Sequence, residues 1–155
     1  MQTDTPLSKA QVGAASDAWE ALLRAYVKLN RKFAQDPVWA QASMREYDIM
    51  YTLAKAGCAL SQTDLLRSVT LSQPAVSRML KRMEAKGLVR SSPFHKDARS
   101  SQIELTEAGR ALQRKMGREH GNQVAAAISG SLNEEEIATL HTLCGKLAGN
   151  QENNE

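Results

Sequence analysis

A chain of 155 residues with 42% hydrophobic and 24% charged residues is long enough for one ordinary domain, or for a dimer-forming domain with a small module inserted. Its net charge of +3 is uneven: residues 61–100 carry eight basic and three acidic side chains, net +5, which leaves −2 elsewhere and is the footprint of a nucleic-acid binder rather than of a uniformly basic protein. Two cysteines make no disulfide framework, no apolar run approaches the ~20 residues of a bilayer span, and MQTDTPLSKAQ lacks an export signal, so the expectation is a cytoplasmic protein without a membrane partner.

The first helix is predicted from about Ser8 to Ala34. Val12, Ala15, Trp19, Leu22, Tyr26, Leu29 and Phe33 follow each other at alternating steps of three and four, a heptad seam that wants another helix. Trp19 and Tyr26 then belong to an intramolecular or dimer core, or one of them lines a ligand pocket. Asp36-Pro37 ends the helix, because the residue before a proline is pushed out of the helical region. A second helix follows between Met44 and Ala56, its apolar side carried by Tyr47, Met50, Tyr51 and Leu53 and its stop by Gly57. Asp48 on this helix either binds an effector or pairs with a basic neighbour. Cys58-Ala59-Leu60 is expected as a short strand.

From Ser61 the pattern tightens. Ser61 is a candidate N-cap, with Asp64 placed to reach back to its N–H and Leu65, Leu66 and Val69 as the buried side. Ser72 offers a second cap, Pro74 falls in a first turn where its missing N–H breaks no bond, and the new helix runs through Lys86 to Gly87. Two helices joined by so few residues pack at a steep angle, which is helix-turn-helix geometry. Val76, Met79, Leu80 and Met83 form the inner stripe of the second helix. Ser72, Gln73, Ser77, Arg78, Lys81 and Arg82 are left outward, a donor-rich face suited to base edges and phosphates in a major groove. Next come a strand at Leu88-Val89-Arg90, a polar loop from Ser91 to Arg99 that holds Pro93, and a returning strand from Gln102 to Leu105. On this β-wing Lys96 and Arg99 are candidates for minor-groove or phosphate contacts, with Asp97 orienting Arg99.

Thr106 caps a long helix whose apolar positions are Leu112, Met116, Val124 and Ile128, broken at Gly130-Ser131. Asn133 and Glu136 make a capping-box start to the last helix, whose Ile137, Leu140, Cys144 and Leu147 repeat the seam. The expected fold is mainly α with a small β-wing, a winged helix-turn-helix module inserted in an α-helical dimerisation body.

The stretches EYDIMYTLAKAG, LSQPAVSRMLKRMEAKGLVR, KDARS and IELTEAGR resemble the MarR-type (multiple-antibiotic-resistance) winged-helix transcriptional regulators over roughly residues 40–148. The combination of Asp97-x-Arg99 with Leu105-Thr106-x-x-Gly109 carries much of the likeness. The family often has a second Arg after the wing Asp, where this chain has Ala98. The resemblance implies a single domain over 1–155, with the DNA-binding module at 44–105, a helical dimerisation region at 1–40 and 106–148, and a flexible tail at 149–155. It implies a homodimer that sets one recognition helix per subunit in successive major grooves of a pseudo-palindromic operator. It further implies a repressor released by a small aromatic or anionic effector near Trp19, Arg45 and Asp48.

Catalysis finds no motif. His95, His120 and His141 are scattered, no phosphate loop or nucleophile elbow is present, and neither metal nor cofactor is expected. The rival readings are a thiol-based oxidation sensor of the same fold, which needs Cys58 or Cys144 to react and has Cys58 as its first candidate, and a winged-helix protein-interaction module. The donor-rich face at Gln73, Ser77 and Arg78 speaks against the second, since a protein-binding helix shows an apolar anchor more often.

Overall fold

The computed structural model describes residues 6–69, 71–94 and 97–149, with the backbone alone for 94 and 97–100. The chain divides after Asp36 into two compact units. The first holds α1 (Lys9–Ala34), started by Ser8 in a capping box with Gln11, where each side chain takes the other residue's backbone N–H. No α1 residue is buried. Val12, Trp19, Leu22 and Tyr26 of the heptad seam are exposed, and Leu29 and Phe33 are half-buried.

The second unit begins with a 3-10 turn at Pro37–Ala40 and continues through α2 (Met44–Ala56), β1 (Leu60–Ser61), α3 (Gln62–Ser68), α4 (Gln73–Ala85), β2 (Val89–Phe94), β3 (Asp97–Leu105), α5 (Glu107–Ser129) and α6 (Glu134–Leu147). The start signals act as expected at Ser61, Thr106 and Asn133, whose side chains accept from the backbone amides of Asp64, Gly109 and Glu136. Asp64 departs from the expected reciprocal box, because its carboxylate takes the Ser61 hydroxyl at 2.6 Å instead. Gly57 and Gly87 end α2 and the α4 turn at φ 66° and 71°, a left-handed backbone that side chains resist.

The core lies under the helix-turn-helix. Ile49, Met50 and Leu53 of α2, Leu65 of α3, all four expected residues of α4, and Leu88, Val89, Ile103, Leu105 and Met116 close around one another. Leu66, Val69 and Leu112 pack at its edge. Tyr51 does not join this core: it is exposed, its ring 6.2 Å from that of buried Tyr47 one turn earlier. On α6 the expected seam is mostly uncovered, with Leu140 and Leu147 exposed and Ile137 and Cys144 half-buried.

The wing is longer than its apolar pattern predicts. β3 is the central strand of an antiparallel order β1-β3-β2, paired Leu60↔Ile103 with β1 and Val89↔Leu105 with β2. Pairing continues through Ser92↔Gln102 and Pro93↔Ser101, and shifts register between Pro93 and Phe94. The expected polar loop is therefore largely ladder. Serines alternate no hydrophobicity, so this part of the hairpin leaves no period-2 signal, and Pro93 is tolerated because β2 is an edge strand. The third strand sits at Leu60–Ser61 rather than at 58–60.

One close approach ties these elements together. The Thr106 hydroxyl donates to the Gly87 carbonyl at 2.5 Å, and the Thr106 N–H donates to the Leu88 carbonyl at 3.1 Å. Buried Gly109 lies so near that carbonyl that a Cβ would overlap it. Gly109→Ala is expected to lose roughly 1–3 kcal/mol in urea unfolding, as overpacking against rigid backbone does. Gly121→Ala, on the same helix with nothing within 4 Å of its would-be Cβ, is expected to gain about 0.5–1 kcal/mol. Equal effects at the two sites would refute the contact.

Candidate nucleic-acid interface

The outward side of α4 is set by its inward side. With Val76, Met79, Leu80 and Met83 buried, helical geometry leaves Gln73, Arg78, Lys81 and Arg82 exposed and Ser77 half-buried. Ser72 has N-cap backbone geometry, but its side chain makes no capping hydrogen bond. An N-cap oxygen ordinarily takes the N–H of the second or third helical residue, and Pro74 at the second has none. The Ser72 hydroxyl and the first amides of α4 thus stay available to an acceptor-rich partner.

The structure sorts the basic residues of this region in a way that composition cannot. Arg67 pairs with Asp64 at 3.5 Å, Lys86 with Glu46 at 2.9 Å, and Arg90 with Glu104 at 2.6 Å. Among the described residues, Arg78, Lys81 and Arg82 take part in no ion pair. Three uncompensated cations therefore share the exposed face of one helix. The wing is attached to the same helix: Glu84 accepts the Ser91 N–H of β2 at 3.1 Å. Lys96 lies outside the described residues, and of Asp97 and Arg99 only the backbone, within β3, is described.

Among the described residues Glu46 is the buried carboxylate of this unit, 4% exposed at the start of α2. Its Oε2 accepts the Ser43 N–H at 2.8 Å, completing a capping box, and Lys86 Nζ donates to both oxygens at 2.9 and 3.2 Å. Burial pushes this carboxyl up, but the Ser43 amide and the Lys86 ammonium more than offset it, so its pKa is lowered. Sequence reasoning did not find this residue. The Ser43-x-x-Glu46 spacing was its available signal; the pairing with Lys86, 40 residues away, has none.

Of the expected effector residues, Arg45 and Asp48 are exposed on the first turns of α2, and Trp19 is exposed on α1. Surrounding protein raises the Asp48 carboxyl, while His120 and Arg45 pull it back. His120 of α5 stands among rings that sequence did not bring together, 5.1 Å from Trp39 and 5.8 Å from Tyr47 between centroids. These residues come from three separate elements, so no spacing announces them. Cys58 is exposed; half-buried Cys144 lines a mainly apolar groove of about 680 Å³ between α5 and α6. Among the described residues no group of three or more His, Cys, Asp or Glu is placed to hold a metal ion, and no helix is long and apolar enough to cross a membrane.

The MarR family model matches residues 42–101, the α2-to-wing stretch whose geometry is given above. The HTH-type transcriptional regulator PecS of Dickeya dadantii is 32% identical over 114 residues, covering 72% of this chain and 68% of PecS. The chain belongs to the MarR family. It is a MarR-family transcriptional regulator, with the winged helix-turn-helix and small three-stranded sheet of that family. The repressor NicR of Pseudomonas putida is 26% identical over 151 residues, covering 97% of this chain and 94% of NicR. Among solved MarR-type folds, BpsR of Bordetella bronchiseptica, described with regulation of its DNA binding by 6-hydroxynicotinic acid, superposes with a TM-score of 0.75 at 24% identity, covering 85% of this chain and 98% of BpsR.

A group whose pKa is lowered on folding contributes stability that is full above its unfolded pKa and is lost as pH falls through the folded one. The stability difference between wild type and Glu46→Gln is therefore expected to be full near neutrality and to shrink as pH is lowered from about 5 to about 3, through the ordinary glutamate value and the lowered one beneath it. Urea midpoints across that range measure it. A difference that stays constant would remove the buried charge from the account.

Proposed function

We propose that this MarR-type regulator is a homodimeric, cytoplasmic, non-enzymatic repressor that binds a pseudo-palindromic operator in double-stranded DNA and is released by a small aromatic or anionic effector. The observation that carries the reading is the α4 face: Arg78, Lys81 and Arg82 unpaired and exposed, beside Gln73 and Ser77, on a helix whose other side is wholly buried. Arg78 and Gln73 read bases; Ser72, Ser77, Lys81 and Arg82 hold phosphates or bases; Lys96 and Arg99 of the wing add minor-groove or phosphate contacts, with Asp97 orienting Arg99. Residues 44–105 are the DNA-binding module. Residues 1–40 and 106–148 are the dimerisation region, supported by the apolar surface that α1 and α6 leave exposed at Val12, Trp19, Leu22, Tyr26, Leu140, Leu143 and Leu147.

The effector is assigned to Arg45 and Asp48 of α2. Arg45 supplies a cation for an anionic group, and the half-buried Trp39 and His120 rings, packed beside buried Tyr47, supply aromatic surface. NicR's name as a repressor and the action of 6-hydroxynicotinic acid on BpsR support release by such a compound. Trp19 is the remaining candidate of this set.

The operator is found by selecting duplexes from random DNA. Arg78→Ala is then expected to cost about 1–3 kcal/mol on the selected duplex and much less on a random one. Lys96→Ala is expected to weaken both alike and to reduce the salt slope by about one. Equal losses on both duplexes for Arg78→Ala would end its role as a base reader.

For the effector, a thermal-shift panel of aromatic carboxylates and phenols is expected to show a stabilising compound that also releases the operator and that Arg45→Ala no longer binds. Tryptophan fluorescence that still responds after Trp39→Phe assigns Trp19. A panel without any binder would remove the pocket.

A further inference from the structure

Lys86 sits at the C-terminal cap of α4, inside the basic stretch, and on charge alone would be counted with the DNA contacts. Its surroundings say otherwise. The other paired cations of the module meet partners that are themselves accessible: Arg67 and Asp64 side chains are 76% and 48% exposed, Arg90 and Glu104 67% and 29%. Such pairs are cheap to break. Lys86 meets a Glu46 side chain only 5% exposed, whose separation would leave a charge stranded in the interior. Glu46 is itself held by the Ser43 N–H, so the carboxylate is a fixed point on α2.

We propose that Lys86 is a positioning residue: its ammonium, anchored on the buried Glu46 carboxylate, pins the C-terminal end of α4 to the first turn of α2 and so sets the pose in which the outward face of α4 meets a half-site. This rests on the reading of α4 as the recognition helix. At the opposite end of α4 the Ser72 side chain makes no capping bond. The exit of α4 is held by the Thr106 hydroxyl on the Gly87 carbonyl, a restraint toward α5, whereas Lys86–Glu46 is the side-chain restraint toward α2. A tilt of the helix harms base reading first. Bidentate hydrogen bonds weaken steeply with angle and distance, while attraction to phosphates falls slowly, so loss of pose costs discrimination before it costs affinity for DNA in general.

The test uses full-length protein, a selected duplex and a random duplex of equal length, across a salt series at a temperature where circular dichroism shows each variant folded. Lys86→Met is expected to lower the preference for the selected duplex by roughly tenfold or more, with random-duplex affinity and salt slope unchanged. Glu46→Gln is expected to reproduce that loss, the double variant to add little to it, and Lys86→Arg to recover most of the preference. If Lys86→Met does not fold, Lys86→Gln takes its place. A salt slope reduced by about one, with both duplexes weakened alike, would make Lys86 a phosphate contact and overturn the proposal. Folded Lys86→Met with lower thermal stability but undiminished preference would also overturn it, leaving a merely structural pair. If wild type selects no preferred duplex, the DNA-reading assignment of α4 fails and this proposal with it; if wild type selects one and the variants keep the preference, this proposal alone fails.

Discussion

The backbone crossing at Gly87 and Leu88 is what the second unit depends on. There α4 ends, the wing begins, and the returning strand hands over to α5. Thr106 bonds both carbonyls, and Gly109 presses on the second with no side chain between. Backbone carbonyls need donors, and here the donors sit where a left-handed turn at Gly87 leaves those carbonyls pointing. The run Leu105-Thr106-x-x-Gly109 thus has a physical meaning: a strand end, a cap that also serves the neighbouring turn, and a glycine that allows the crossing. Helix α4 and the wing leave the same junction.

Charge acts at two levels in this molecule. At the level of composition, residues 61–100 are basic and the remainder slightly acidic, which favours encounter with a polyanion. At the level of contacts, part of that positive charge is spent inside the protein. Lys86 and Arg90 are held by Glu46 and Glu104, while Arg78, Lys81 and Arg82 are left to act outward. The free cations coincide with the exposed face of α4 because its apolar stripe commits the rest of the circumference to the core. Patterning that folds the helix also aims its charges.

The apolar faces of α1 and α6 answer to a different need. Neither helix has a buried residue, although both carry heptad-spaced side chains. The mainly apolar groove between α5 and α6, bordered by Ile137, Leu140 and Cys144, belongs with them. Such surfaces are costly in water, and they are the ones on which the proposed dimer rests.

Most helix boundaries were legible because their signals are local. Ser61, Thr106 and Asn133 mark starts through side-chain bonds to amides three residues on, Ser72 marks one through its extended backbone and the proline that follows, and Gly57 and Gly87 mark stops through their own φ. The α4 face was legible for the same reason, since Val76, Met79, Leu80 and Met83 repeat at helical spacing. What tertiary structure decided is what joins residues far apart. The ladder at Ser91, Ser92 and Ser101 is held by backbone pairing that serine patterns do not report. Tyr51 lies outside a core its spacing had promised. Lys86 finds Glu46, and His120 finds Trp39 and Tyr47, across distances in sequence that no period spans. The sequence by itself determined the helices and the inward and outward sides of α4, since those follow from backbone geometry over a few residues; only the packed chain decided the length of the wing, which apolar side chains are covered, and which charges are neutralised, since that depends on what each residue meets.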